Sequence, residues 1–377
     1  MTNIGILGAG QLGRMLALAG YPLGHRFRFL DPASDSPAGL LADHLALGYA
    51  DTSALEQFAH GLNVVTYEFE NVPVEAARHL EKFVAVYPPP VALEKAQDRF
   101  VEKSFFQELG IPTPKFTING LSHGITDENG LGKRTSEDVG FPAVLKTRRM
   151  GYDGKGQIVV KSKADLVNGL SHGFTDENGL KENVILEEFV FFDRELSIIA
   201  VRNKSGETKF YPLIENHHCD GILRLSLVIG NVSAELQAQA EEYATRVMSA
   251  LNYVGVLTIE FFEKDGRLLA NEMAPRVHNS GHWTIEGAIT SQFENQVRAV
   301  CDAPLGSTNP LGVCAMVNLV GTLPDETSIL KIERAHLHLY DKAPRPKRKL
   351  GHITLVEKDV ETLNEKLNEI RKLYAEF

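Results

Sequence analysis

Glu260 and Glu272 flank the turn sequence KDG in the segment VLTIEFFEKDGRLLANE. Leu257, Ile259 and Phe261 alternate there with Thr258, Glu260 and Phe262, which is the period of a strand. RLLANE reads as the return strand. A three-residue loop with Gly266 in the left-handed region suits such a hairpin. Any odd-length loop puts both carboxylates on one face, within reach of one cation. Two carboxylates plus nucleotide phosphates hold magnesium in many enzymes; the plainer reading is two exposed acids on a surface hairpin. APRVHNSGHW follows at once and packs Arg276, His278, Asn279 and His282 into one short run. Beside a magnesium site, such a basic, hydrogen-bonding cluster suits stabilisation of a transferring phosphoryl group.

A second chemical stretch is FPAVLKTRRMGYDGKGQIVV. Val144 to Thr147 reads as a strand carrying Lys146, followed by glycines 151, 154 and 156 and the strand QIVV. Strand, glycine loop, strand is the form of a flexible phosphate cover, with backbone N–H groups near the phosphate oxygens and lysine supplying charge. No Walker pattern occurs, and a strand rather than a helix follows. A simple hairpin turn is the alternative. In NVILEEFVFFDREL, Leu186 to Val190 has the form of an adenine-binding edge, and Glu195 either accepts ribose hydroxyls or is an exposed strand residue. Arg99 and Lys103, one helical turn apart, read by themselves as a solvated pair. Lys342, Arg345, Lys347, Arg348 and Lys349 in KAPRPKRKLGH read by themselves as a solvated basic loop.

These groups need elements to carry them. NIGILGAGQLGRMLALAG reads as a strand from Ile4 to Leu7, glycines at 8, 10 and 13, and a helix from about Gln11. The spacing fits G-x-G-x-x-G, and Asp31 ends the next strand about where a dinucleotide-binding protein places its ribose-binding acid. An NAD-dependent oxidoreductase is one reading; a doubly wound domain that binds no dinucleotide is the other. NVVTYEFENVP reads as a strand ending in Glu68, Glu70 and Asn71, on the edge where ligands gather in open parallel sheets. Leu93, Ala96, Phe100, Phe105 and Leu109 predict one helix stopped by Gly110 and Pro112. SAELQAQAEEYATRVMSALN predicts another, and the segment from about 300 a small set of strands closing on an amphipathic helix.

At 377 residues the chain has room for two or three domains. A formal charge of −10 argues against a nucleic-acid binder. Cys219, Cys301 and Cys314 form no disulfide framework or metal spacing, which fits a reducing compartment. No secretory leader or transmembrane run is read, so no membrane partner and a cytoplasmic location are expected.

GAGQLGRM, TYEFENVP, LKTRRMGYDGKGQ, LEEFVFFDRELSIIAVR, DGILRLS, NEMAPRVHNSGHWTIEGA and HLHLYDKAPRPKRKLGHIT occur in that order across nearly the whole chain. In these blocks the sequence resembles the N5-carboxyaminoimidazole ribonucleotide synthetases of the ATP-grasp superfamily. The resemblance implies an α/β ATP-grasp enzyme with an N-terminal Rossmann-like domain (1–92), a central ATP-grasp module (93–300) with a mobile lid at about 112–190, and a small C-terminal domain (301–377). It implies ATP and Mg2+, and bicarbonate phosphorylated to carboxyphosphate. The exocyclic amine of 5-aminoimidazole ribonucleotide is then carboxylated, in a homodimer. ATP would contact Arg99, Lys146, the loop Gly151, Tyr152, Asp153, Gly154, Lys155, Gly156 and Gln157, the edge Glu187, Glu188, Phe189 and Val190, and Glu195, His218, Asn271 and Glu272. Glu260 and Glu272 would be the magnesium ligands, and Arg276 and His278 would hold bicarbonate and its phosphorylated form. Tyr152, Asp153, Glu70 and Gln11 would face the aminoimidazole ribonucleotide, Asp153 taking or orienting the amine proton. Arg348 and Lys349 would grip its phosphate. His217 and His218 are neighbours, and the resemblance favours His218. A formate-dependent glycinamide ribonucleotide transformylase shares the architecture, and dependence on formate or bicarbonate separates the two. The oxidoreductase reading leaves Lys146, the glycine loop and the acid pair unused.

NGLSHGITDENGL at 119–131 returns as NGLSHGFTDENGL at 168–180. The two copies are rich in residues that favour turns over helix interiors. TDENG misses calcium-loop spacing, and His123 and His172 are lone histidines. The repeat is expected to be carried in surface connections and not used.

Overall fold

The computed structural model describes residues 1–118, 136–151, 154–172 and 183–377, the side chains of 171 and 172 apart. Three sheets organise them. The first is parallel, in the order Asp43–Leu45, Arg26–Leu30, Asn3–Leu7, Val64–Tyr67, Ala85–Val86. Ile6, Leu7, Phe29 and Val65 are fully buried, as expected of strands covered on both faces. Leu7 pairs with Tyr67, so the glycine turn and Glu68–Glu70 leave the sheet side by side at its carboxyl edge.

The expected helix through Leu93 and Leu109 is two helices, Pro90–Ala96 and Arg99–Glu108. Asp98 makes the break. Its extended backbone and its carboxylate, which accepts from Phe100 N at 3.0 Å, cap the second helix. The apolar spacing runs through the joint because Ala92 and Ala96 of the first helix and Phe105 and Phe106 of the second pack into one core.

The second sheet is antiparallel, ordered Phe116–Ile118, Val184–Glu188, Ala143–Thr147, Gln157–Val160. The helix Lys163–His172 covers it. That helix takes in the opening residues of the second repeat copy, where turn-forming composition favoured a connection. Buried Leu166 and half-buried Leu170 override the local preference. Gly169 sits where a Cβ would come within 2.9 Å of Ile158 Cδ1, so its bare backbone lets the helix approach the sheet. Residues 119–131 and 173–180 of the two copies lie outside the described residues, as do Tyr152 and Asp153.

The third sheet is antiparallel and runs Arg267–Ala274, Gly255–Lys264, Arg194–Arg202, Ile214–Cys219, Ile222–Val228, Val313–Val320, Lys349–Glu357, Ala335–Leu339, with Thr208–Phe210 beside Arg194–Arg202. Strands on both sides of residue 301 therefore share one sheet: Leu225 pairs with Val317 and Val228 with Cys314. The helix Val360–Leu373, capped by Asp359, packs Leu363, Leu367 and Ile370 onto Leu319, Ile353 and Leu355. The largest core joins the first helix (Leu12, Met15, Leu16) to Phe293, Val297, Val300 and fully buried Trp283, tying the parallel sheet to the antiparallel one.

The acid hairpin differs from expectation in its turn. Lys264 pairs with Arg267, leaving a two-residue loop of Asp265 and Gly266, both at positive φ. An even loop alone would send Glu260 and Glu272 to opposite faces. A bulge after Glu260 inserts Asn271 as an extra residue, and Glu260 comes to lie directly opposite Glu272.

Candidate active site

A cleft of about 960 Å³ opens where the three sheets meet. The residues expected from sequence that line it are Gln11, Glu70, Arg99, Gly151, Lys155, His218, Glu260, Glu272, Arg276, His278, Arg348 and Lys349. Lys146, Gly154, Gly156, Gln157, Glu187, Glu188, Phe189, Val190, Glu195 and Asn271 are not on its wall. Of these, Glu195 stands one bond behind it, 2.7 Å from His218 Nδ1. His217 instead pairs with Glu215 and is half exposed, so His218 is the histidine facing the cleft.

At one end, Arg99 Nη1 donates to Glu272 Oε2 at 2.9 Å. Burial raises the Glu272 carboxyl, but Arg99, with Lys146 and Lys103 behind it, holds the group below its ordinary value. Glu260 is shifted the other way: burial, then the facing Glu272, push it up to about 7. Carboxyls pushed apart in this way by burial and a specific charge partner are a pattern of functional sites.

Lys146 is almost fully buried and bonds Glu187 Oε2 at 2.8 Å, while Lys103 stands 3.3 Å from the same oxygen. Burial opposes ionisation of Glu187, yet Lys103, Lys146 and Arg99 bring it down to about 2. The reading of Arg99 and Lys103 as a solvated pair is thereby corrected: Lys103 is wholly buried, and its ammonium also donates to Asn271 O at 3.0 Å. Glu102, one residue earlier, accepts from Met273 N at 2.6 Å and lines the cleft. Helix Arg99–Glu108 thus grips both sides of the bulge that aims Glu272. Neither contact was legible locally, because the partners are about 170 residues apart in the chain.

In the middle of the cleft, Arg276 Nε donates to Glu70 Oε2. Burial raises the Glu70 carboxyl, and the guanidinium reverses this and keeps it low. His278 Nε2 lies 3.2 Å from Glu260 Oε1, and burial followed by Arg276 holds its imidazole far below its ordinary value. The other end is basic. Lys342, Arg345 and Lys347 join Arg348 and Lys349 on the wall, and Lys342 donates to Gln11 Oε1. Arg148, also on the wall, is held by Asp98 at 2.8 Å. Sequence reading passed over Arg148, Glu102 and Gln97; the signal for Arg148 was the RR pair directly ahead of the glycine loop.

The dinucleotide reading fails on one contact. Glu68 reaches into the glycine turn and accepts from Gly10 N and, at 2.5 Å, from Gly13 N. Its carboxylate takes the helix N-terminus where a pyrophosphate would sit. A Cβ on Gly10 would come within 2.6 Å of Glu68 Oε1, so the glycines make room for this side chain. Asp31 is occupied by Ala9 N at 3.0 Å and Ala33 N at 2.8 Å.

The family model of a ribonucleotide synthetase preATP-grasp domain matches residues 1–97, that of an ATP-grasp domain 104–293, and that of a phosphoribosylaminoimidazole carboxylase C-terminal domain 314–366. The N5-carboxyaminoimidazole ribonucleotide synthase of Pseudomonas aeruginosa is 50% identical over 371 residues, covering 98% of this chain and 99% of that protein. The Thermus thermophilus N5-carboxyaminoimidazole ribonucleotide synthetase structure superposes with TM-score 0.89 at 53% identity, covering 99% of each chain. An Aspergillus clavatus N5-carboxyaminoimidazole synthase, solved with ADP and 5-aminoimidazole ribonucleotide, gives TM-score 0.85 at 31% identity, with 99% and 98% covered.

Proposed function

The chain belongs to the N5-carboxyaminoimidazole ribonucleotide synthases, ATP-dependent ligases that carboxylate 5-aminoimidazole ribonucleotide in purine biosynthesis, and from that premise we propose how its cleft divides the work. The supporting observation is that the acid pair, Arg276 with His278, and the basic end bearing Arg348 and Lys349 all line one cleft.

Magnesium fits the acid end. Glu260 and Glu272 oppose each other, Glu272 keeps 40% of its side chain exposed, and Asn271 Oδ1 is buried without a partner. Among the described residues no group of three or more His, Cys, Asp or Glu side chains could hold a metal, so phosphate oxygens would complete the shell. Bound there with ATP, magnesium would neutralise phosphate charge. Arg99, Lys146 and the glycine loop Gly151–Gln157 hold the phosphates. The edge Glu187–Val190 takes adenine through backbone groups, and Glu195 with His218 takes the ribose. Asn271 completes the ATP contacts.

Bicarbonate lies against Arg276 and His278. One of its oxygens attacks the γ-phosphorus, the bond to ADP breaks, and carboxyphosphate forms. Arg276 offsets the anion's charge throughout, and its pairing with Glu70 fixes the guanidinium plane. Gln11 and Glu70 face the aminoimidazole, Arg348 and Lys349 its phosphate. Tyr152 and Asp153 lie outside the described residues; their proposed role is toward the amine, Asp153 accepting the proton that the amine loses as it attacks the carbonyl carbon and phosphate leaves. The units 1–92, 93–300 with its lid at 112–190, and 301–377 are the proposed divisions of a cytoplasmic homodimer.

ADP release with ATP and magnesium tests this reading. It should rise strongly only when bicarbonate and 5-aminoimidazole ribonucleotide are both present; stimulation by formate, or by neither, would overturn it. Lys349→Ala should raise the KM for the ribonucleotide and leave that for ATP unchanged.

A further inference from the structure

Behind His278 runs a line of buried, hydrogen-bonded polar side chains. Ser226 Oγ bonds Asn216 Oδ1 at 2.7 Å, Asn216 Nδ2 bonds Ser197 Oγ at 2.8 Å, and Ser197 Oγ lies 2.9 Å from Ser280 Oγ. Ser280 Oγ in turn lies 2.9 Å from His278 Nδ1. Ser197 and Ser280 are 0% exposed, Ser226 1% and Asn216 5%, so water does not compete for these bonds. Buried polar groups are costly unless every donor meets an acceptor.

The direction of each bond follows from elementary valence. Ser280 N, which can only donate, points at His278 Nδ1 from 3.3 Å, so Nδ1 must be the acceptor. The ring proton is therefore on Nε2, which faces Glu260 Oε1 at 3.2 Å. A proton on Nδ1 would confront the Ser280 N–H. The Ser280 hydroxyl then gives its proton to Nδ1 and accepts from Ser197. Ser197 is free to donate because Asn216 Nδ2 donates to it, and Asn216 Oδ1 accepts from Ser226. Every hydroxyl donates once, in the same sense, and the chain ends on the Glu260 carboxylate.

We propose that Ser226, Asn216, Ser197 and Ser280 are positioning residues that lock His278 as its Nε2–H tautomer, making it a hydrogen-bond donor to anionic oxygen and not a proton acceptor. The inference rests on the assignment of His278 to the bicarbonate-derived anion. His278 then serves that anion as it serves Glu260 here, with an N–H fixed before substrate arrives. It cannot deprotonate the amine, so that proton goes elsewhere.

Nitrogen-15 NMR of the full-length protein, labelled in histidine, tests the lock without any functional assumption. The His278 signals are those lost in His278→Asn. A pyridine-like Nδ1 and a pyrrole-like Nε2 are expected; a pyrrole-like Nδ1 overturns the proposal. Ser280→Ala leaves the Ser280 N–H on Nδ1 but removes the hydroxyl that holds the ring, and should lower kcat by about ten- to a hundredfold with an unchanged KM for ATP. Ser197→Ala, which does not touch the histidine, should act in the same direction more weakly. A Ser280→Ala protein that keeps full kcat also overturns it. Full kcat in His278→Asn would instead sink the anion-site assignment beneath it, whatever the tautomer.

Discussion

Glu260 sits between two histidines and opposite a second acid, and its carboxyl is pushed up to about 7, first by burial and then by Glu272. Above that pH the ionised form dominates; below it a proton holds the oxygen that a cation needs. Magnesium competes with that proton, so its KM should rise by about tenfold per pH unit below about pH 7. A KM that stays flat from about pH 8 to about pH 6 would show that Glu260 is not a ligand. Glu272→Gln keeps size and bonding capacity but removes the charge that Arg99 orients. Turnover should fall by roughly a hundredfold or more, and near-normal ADP release in that variant would contradict the metal role. These acids were legible because strand alternation is local. Lys103 and Glu102 were not, since nothing in VEKSF tells that their partners lie on a strand near Asn271.

Two elements turn on a single residue. Asp98 ends one helix and starts the next, which sets the angle at which Arg99 enters the cleft; it also holds Arg148 and, at 3.3 Å, Arg149. Asp98→Ala should cost about 1 kcal/mol for the cap alone and more for the guanidinium groups left without it. A lowered melting temperature together with a raised KM for ATP is the expected outcome; an unchanged melting curve would refute the capping role. Apolar spacing hid this joint because Ala92 before it and Phe105 after it reach the same core. The acid hairpin shows a different limit of sequence reading. The same-face conclusion for Glu260 and Glu272 holds, but through a two-residue loop and a bulge at Asn271 instead of an odd loop. Residue parity is readable from sequence; a bulge that restores it is not, because it depends on helix Arg99–Glu108 gripping the edge strand from outside.

At the scale of the whole molecule, one antiparallel sheet carries the acid hairpin at one end and, toward the other, the C-terminal strand that begins at Lys349. That continuity brings Glu260 and Lys349 to one cleft though they belong to different segments of the sequence. A chain cut before Val313 would leave Ile222–Val228 as a bare central edge, its apolar Leu225 uncovered. Such a chain is expected to be insoluble; a soluble, monomeric fragment with native-like secondary structure would show that the halves fold separately. Block order along the sequence pointed to three successive parts, and pattern alone could not reveal that two of them share a sheet. The glycine turn was legible as a strand–turn–helix, while its occupant, Glu68, follows a strand elsewhere in the chain and only the fold shows it.

On the chemistry proposed for this cleft, ATP cleavage is joined to carboxylation through an acyl phosphate made from bicarbonate. Oxygen-18-labelled bicarbonate tests that link most directly, because attack on the γ-phosphorus leaves one bicarbonate oxygen in the phosphate released. Labelled phosphate should appear in step with product, and both should be lost in Arg276→Ala. Product formed with unlabelled phosphate would mean that ATP is cleaved by water and that the acid pair and Arg276 do not act on bicarbonate.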